Sequence, residues 1–201
     1  MSGFGDPAAR LVILGLAPGA HGANRTGRVF TGDRSGDFLY AALFRAGLAN
    51  QSTSVHADDG LRLDGAWITL AARCVPPDNR PLPEEVRTCG IRWLDAELAL
   101  LRPRVVLALG AIAWNAAIDH AVRGGHDVRP RPTFAHGART ILPGSGADLV
   151  GSYHVSQQNT QTGRLTPAMF DAVLGQTVAL LRTDIRAALP TSAPRRIREK
   201  T

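Results

Sequence analysis

The sequence predicts an α/β fold: a three-layer α/β/α sandwich around a central, mainly parallel four-stranded sheet. Short apolar runs alternate with stretches of helical periodicity along the chain, the signature of strands connected by helices. Three of those runs are followed by polar or glycine- and proline-rich loops, and open parallel sheets bind ligands at the C-terminal ends of their strands. At 201 residues, 44% of them hydrophobic, the chain fits one domain with a sizeable core.

The first strand is expected over 10–16, around the apolar run Leu11-Val12-Ile13-Leu14. A loop from Gly15 to Asp33, GLAPGAHGANRTGRVFTGD, follows it. Ser35 is a good N-cap for the next helix, in which Leu39, Ala42, Leu43 and Ala46 share one face before Gly47 ends it. The second strand is expected over 66–72, and a proline-rich loop leads to a helix starting near Pro83. Glu84 and Glu85 suit that helix's first turn, and Ile91, Leu94, Leu98 and Leu101 its apolar face. A third strand over 104–109 and a helix over 111–122 come next. Residues 124–146, rich in Gly, Pro and Arg, read as an exposed connection holding a weaker strand at 139–142. The last strand, 148–153, precedes a helix capped by Thr166, with Pro167 at its first position and Phe170, Val173, Leu174, Thr177 and Leu181 inward. The domain is expected over 1–189, and the basic tail 190–201 is expected to be disordered.

The net charge is +6, and 22 of the 23 basic residues are arginine. This favours a polyanionic partner, although an arginine-coding, GC-rich genome gives the same balance. The single lysine is Lys200, so an internal Schiff-base lysine is excluded. Gly27 is followed by Arg28 and Val29 where a phosphate-binding P-loop needs Lys and Ser or Thr, and the glycines at 15, 19, 22 and 27 miss the dinucleotide spacing. Neither a signal peptide nor an apolar run of membrane-spanning length is visible. The cytoplasm is the expected location.

Several residues at the three strand ends carry chemistry. His154 can donate a hydrogen bond to a developing anion, or close the strand structurally. Asp33 can hold a water or stabilise a cation, or cap the following helix. Phe30 offers a flat stacking face, or core packing. Asn79 has a donor and an acceptor, or serves its turn. Arg25, Arg28 and Arg164 are candidate phosphate contacts, as are Ser156, Gln158 and Asn159 through side chains or backbone N–H groups.

The segments Gly15 to Asp33, RCVPPDNRPLPEE (73–85) and SYHVSQQNTQTGRLT (152–166) closely resemble, in order, the motifs of the family 5, or type B, uracil-DNA glycosylases. The resemblance runs from about residue 3 to 181. It implies a uracil-DNA glycosylase-like fold and a DNA repair enzyme that flips uracil, and other deaminated bases, and hydrolyses the N-glycosidic bond. Asp33, His154 and Asn79 would be catalytic. Phe30 would stack on the base, with Gly15, Ala17, Gly19 and Ala20 as the backbone against it. Segment 16–20, LAPGA, lacks the early acid of other uracil glycosylase families, as the type B pattern does. The alternative is a catalytically impaired binder of damaged or abasic DNA. A monomer acting on DNA, with no membrane partner, is expected.

Relatives in this family carry a [4Fe–4S] cluster on four cysteines. Cys74 and Cys89 match two of them, and this chain has two cysteines in all. The other two belong to a Cys-x-x-Cys segment that would precede Met1. A start placed too far downstream, loss of the cluster, or sharing between two chains would each account for the shortfall. We expect the first, and no intact cluster on this polypeptide.

Overall fold

The apolar run that opens the chain becomes the centre of a six-stranded sheet. In a computed structural model describing residues 1–187, the strands are β1 (Phe4–Gly5), β2 (Leu11–Gly15), β3 (Ala66–Leu70), β4 (Val105–Leu109), β5 (Arg139–Ile141) and β6 (Asp148–Ser152), in the order β1-β3-β2-β4-β6-β5. The four expected strands β2, β3, β4 and β6 are mutually parallel, and β1 and β5 pair antiparallel at the two edges. The expected four-stranded sheet is therefore the parallel core of a larger mixed one. The weak 139–142 strand is realised as β5. β1 has only two residues, too few to show a period.

The alternation of strand side chains builds two cores. Leu11, Ile13, Val105, Leu107 and Leu109 face one side, where α2 (Arg34–Arg45) and α7 (Pro167–Ala187) supply Leu39, Leu43, Phe170, Val173 and Leu174. Val12, Leu14, Val106, Ala108 and Leu149 face the other, against Leu94, Leu98, Trp114, Ala117 and Ile118. Those belong to the π-helical turn Gly90–Leu94, α4 (Asp95–Leu101) and α5 (Ala111–Arg123), with Val86 of α3 (Pro83–Cys89) packed half-buried beside them. Helices on both faces make the three-layer sandwich.

One helix boundary and one helix face differ from expectation. Asp33, two residues before Ser35, is the N-cap of α2, its side chain accepting the Gly36 N–H. Ile91 is exposed although Leu94 and Leu98 are buried. The π-helical turn, closed by the Asp95 N–H on the Gly90 carbonyl, adds a residue to that turn and rotates Ile91 out of the apolar stripe. Thr166 caps α7 as expected, its hydroxyl accepting the Met169 N–H. The connection 124–146 is mostly exposed or half-buried, though Phe134 packs edge-on against Trp114. The tail from Pro190 lies outside the described residues. Among the described residues no helix is long and apolar enough to cross a membrane.

The chain leaves β2 for β3 on one side and then returns for β4 on the other. That reversal puts the ends of β2 at the topological switch point, where an open sheet leaves a crevice. Two short helices flank it: α1 (Ala23–Thr26) in the loop after β2, and α6 (Gln157–Gln161) after β6.

Candidate active site

The crevice is a cleft of about 480 Å³, and all three loops reach it. Leu16, Ala17, Pro18, Gly19, Phe30, Asp33 and Ser35 line it from the first, Asp78, Asn79 and Arg80 from the second, and His154, Ser156 and Gln158 from the third. Asp33, Asn79, Phe30 and His154 are thus brought together from positions up to 124 apart in sequence.

Asp33 caps α2 and also lines the cleft. One carboxylate oxygen, Oδ1, accepts the Gly36 N–H at 3.0 Å and caps α2. The other, Oδ2, lies over the glycine loop: a Cβ on Gly22 would sit 2.1 Å from it and one on Gly19 3.2 Å away. Glycine at 22 is therefore what lets the carboxylate approach the loop. Capping holds the side chain while leaving Oδ2 free of any hydrogen bond within the described residues.

His154 follows directly after β6 and Tyr153. Its carbonyl accepts the Asn159 side-chain amide at 2.8 Å. Gly110, at φ +95° after β4, approaches it closely, and a Cβ there would be 3.4 Å from the His154 Cβ. Burial pushes the imidazole pKa down to about 4, with the Asp33 charge pulling weakly the other way. The ring is therefore neutral at physiological pH and keeps one N–H to donate. An unfolded chain protonates this histidine near 6.5 and the folded chain near 4. The unfolded state binds more protons between those values, so stability is fully present above 6.5 and falls as pH drops toward 4. Tm measured across that interval should decline on acidification, and more shallowly in His154→Ala.

Phe30 sits at φ +51°, a left-handed conformation that costs a bulky residue about 1–3 kcal/mol and persists only where the surroundings enforce it. Its ring lies 6.1 Å, centroid to centroid, from His154. Gly15, at the end of β2, makes room for it: a Cβ there would fall 2.7 Å from the ring. Gly15 thus leaves room for the Phe30 ring and does not itself line the cleft. Asp78 and Asn79 also have positive φ, 51° and 55°. This left-handed turn, between Pro76-Pro77 and Pro81, places both residues at the cleft wall.

The phosphate candidates divide. Ser156 and Gln158 line the cleft, and the Ser156 hydroxyl also caps α6. Arg164 is exposed and lies over the Tyr153 ring at 4.8 Å. Arg25 is exposed, with its Nε donating to the His21 carbonyl at 2.8 Å. Ala20 is exposed outside the cleft lining. Arg28 is not available to phosphate. It is 4% exposed and paired with Asp59 at 2.7 Å, because a guanidinium this deep must be neutralised and hydrogen-bonded. The Asn159 amide is likewise committed to the backbone of His154. Arg80, not singled out in the sequence, supplies the only guanidinium among the described residues lining the cleft. A lone arginine carries no sequence signal, and its place beside Asn79 is the one pointer to it.

Cys74 is exposed and Cys89 half-buried, the latter's sulfur accepting the Arg73 N–H at 3.4 Å. Two thiols are half of a Cys₄ set, and no group of three or more His, Cys, Asp or Glu able to hold a metal occurs among the described residues. The residues present do not by themselves fit a [4Fe–4S] cluster. Iron and acid-labile sulfide in the purified 201-residue polypeptide are expected far below one cluster per chain. Stoichiometric amounts in the monomer would contradict this.

The family profile described as the Uracil DNA glycosylase superfamily matches residues 2–177. The type-5 uracil-DNA glycosylase of Thermus thermophilus is 56% identical over 173 residues, which cover 86% of this chain and 76% of that protein. The type-5 enzyme of Pyrobaculum aerophilum is 44% identical over 176 residues, covering 88% and 74%. The Mycobacterium tuberculosis type-5 protein is 55% identical over 173 residues, and the match spans 63% of its length. A type-4 uracil-DNA glycosylase from Thermotoga maritima falls to 32% over 142 residues. With its three loops meeting in one cleft and this identity to type-5 proteins, the chain belongs to the type-5 branch of the uracil-DNA glycosylase superfamily.

Proposed function

We propose that this chain is a monofunctional DNA glycosylase that removes uracil, and other deaminated bases, from DNA in base excision repair. The observation that carries the reading is the meeting of a capped carboxylate, Asp33, with a neutral histidine, His154, in one cleft beside the ring of Phe30.

Extruding a nucleotide costs a few kcal/mol of stacking and pairing, least at a mismatched or damaged base. Phe30 recovers part of that by stacking on the flipped ring. The C1′–N bond then breaks with its electron pair leaving on the base. His154 donates its N–H to the base carbonyl where that charge collects. A neutral donor suits this step, since its hydrogen bond strengthens as the anion forms. Asp33 Oδ2 stabilises the positive sugar and orients a water, which adds to C1′ and gives up a proton that ends on the departed base anion, leaving a neutral base and an abasic sugar. Asn79 orients the base edge. Arg25, Arg80, Arg164, Ser156 and Gln158 hold the phosphates, which position the protein without reading sequence. The chain acts as a monomer, and none of these steps passes through a metal cluster.

Incubation with excess uracil-containing duplex tests this. Multiple turnovers are expected, with strand cleavage appearing only after alkali. A retarded band on a gel with no base released would contradict the reading, and cleavage without alkali would contradict its monofunctional form.

A further inference from the structure

We propose that the buried Arg28–Asp59 ion pair is a positioning device for base removal: it locks the loop that forces Phe30 into its left-handed bend over the cleft. The inference rests on the stacking role proposed for Phe30.

Every residue around Phe30 is pinned. The Val29 carbonyl accepts the Tyr40 hydroxyl at 2.8 Å and the Thr31 hydroxyl at 3.2 Å. The Thr31 hydroxyl in turn accepts Arg28 Nε at 3.0 Å and meets the Ser54 hydroxyl at 2.6 Å. The Thr31 carbonyl accepts the Thr26 hydroxyl at 3.1 Å. Arg28 is the hub, because its remaining nitrogens reach Ser54 at 2.8 Å, Asp59 at 2.7 Å and the Ala57 carbonyl at 3.3 Å. The outer face of the guanidinium lies over the Phe4 ring at 5.0 Å.

Asp59 anchors this hub to a different part of the chain. Oδ2 accepts Arg28 and the Val55 N–H, and Oδ1 accepts the Leu61 N–H. The Arg28 hydrogen bond and these N–H groups hold its carboxyl well below the usual carboxylate range. Segment 54–61 thus braces segment 28–31 from outside the cleft. Between the pinned residues, Phe30 has no freedom to relax its backbone, and Gly15 leaves space for the ring in that one place. Strain of this kind survives only where its surroundings over-determine it, and the clamp is that surrounding.

Asp59→Asn is the sharpest probe. Both Asp59 oxygens face donors, so an amide of the same shape must set an N–H against an N–H on one side. A double-mutant cycle with Phe30→Ala, on a uracil-containing duplex, separates positioning from general stability. Asp59→Asn is expected to lower kcat about ten- to a hundredfold with KM little changed, the size a misplaced reactive group produces. In the Phe30→Ala background it should lower kcat no further, while the loss of Tm should be the same in both backgrounds. Ser54→Ala, which removes one contact each from Arg28 and Thr31, should show the same pattern at smaller size and serves if Asp59→Asn does not fold. Additive kcat losses, or a fall in Tm with kcat unchanged, would overturn the clamp alone. A Phe30→Ala enzyme as fast as the native one overturns the stacking reading and the clamp with it. Native protein that releases no uracil overturns both together with the proposed activity.

Discussion

Replacing His154 with alanine is expected to lower kcat for uracil release by about 10²–10³-fold, the usual cost of removing one hydrogen-bond donor aimed at developing charge. The donor lines the cleft, and the burial that drives its pKa down to about 4 keeps it neutral with an N–H to give. KM for the duplex should change little, since phosphate contacts supply most of the affinity and the hydrogen bond strengthens only as the bond breaks. His154→Gln, which restores an N–H at similar reach, should recover part of the rate. Single-turnover kinetics on a uracil duplex checks all three statements. Equal loss in KM and kcat would point instead to a substrate-binding role.

Asp33→Asn should cost about 10²-fold in kcat with Tm nearly unchanged, because the substitution removes the charge proposed to stabilise the sugar cation but not the cap. Asn is as good an N-cap as Asp, and its oxygen can keep the Gly36 N–H that Oδ1 now accepts at 3.0 Å. Asp33→Ala loses both functions and should in addition destabilise the fold by about 1 kcal/mol. The pair of variants, read by kcat and by thermal melts, separates the carboxylate's chemistry from its architecture. A rate in Asp33→Asn equal to the native one would reduce Asp33 to a helix cap.

The sequence displays the parallel core of the sheet plainly, because runs such as Leu11–Leu14 and Val105–Leu109 are buried on both faces and stand out as continuous apolar stretches. It also points to where the candidate site lies, since three loop motifs following such runs must gather at one edge of a parallel sheet. What it hides depends on partners distant in the chain. Arg28 looks like a phosphate contact until Asp59, 31 residues on, is seen to neutralise it in the interior. Asn159 looks like a DNA contact until its amide is seen to hold the His154 carbonyl. Local geometry hides other features. Asp33 and Ser35 are both good caps two positions apart, and spacing alone does not choose between them. Ile91 leaves the apolar stripe because of a π-helical turn that no periodicity foretells. The strained backbone of Phe30 has no signature at all, as the residue type argues against it.

These placements change what a nucleic-acid footprint should show. The candidate cationic rim keeps three arginines but changes its members, Arg28 withdrawn and Arg80 joining Arg25 and Arg164. The candidate phosphate contacts then lie on three separate loops, each tied to a strand end that also carries a candidate catalytic group.

The measurement that tests the account most directly is single-turnover uracil release by native protein and by the double variant Asp33→Asn/His154→Ala, alongside binding of both to an abasic duplex. The account expects release by the native chain, none above background by the variant, and equal binding by the two. Release at equal rates from both would contradict it, because the chemistry would then lie outside the cleft where the carboxylate and the neutral histidine meet.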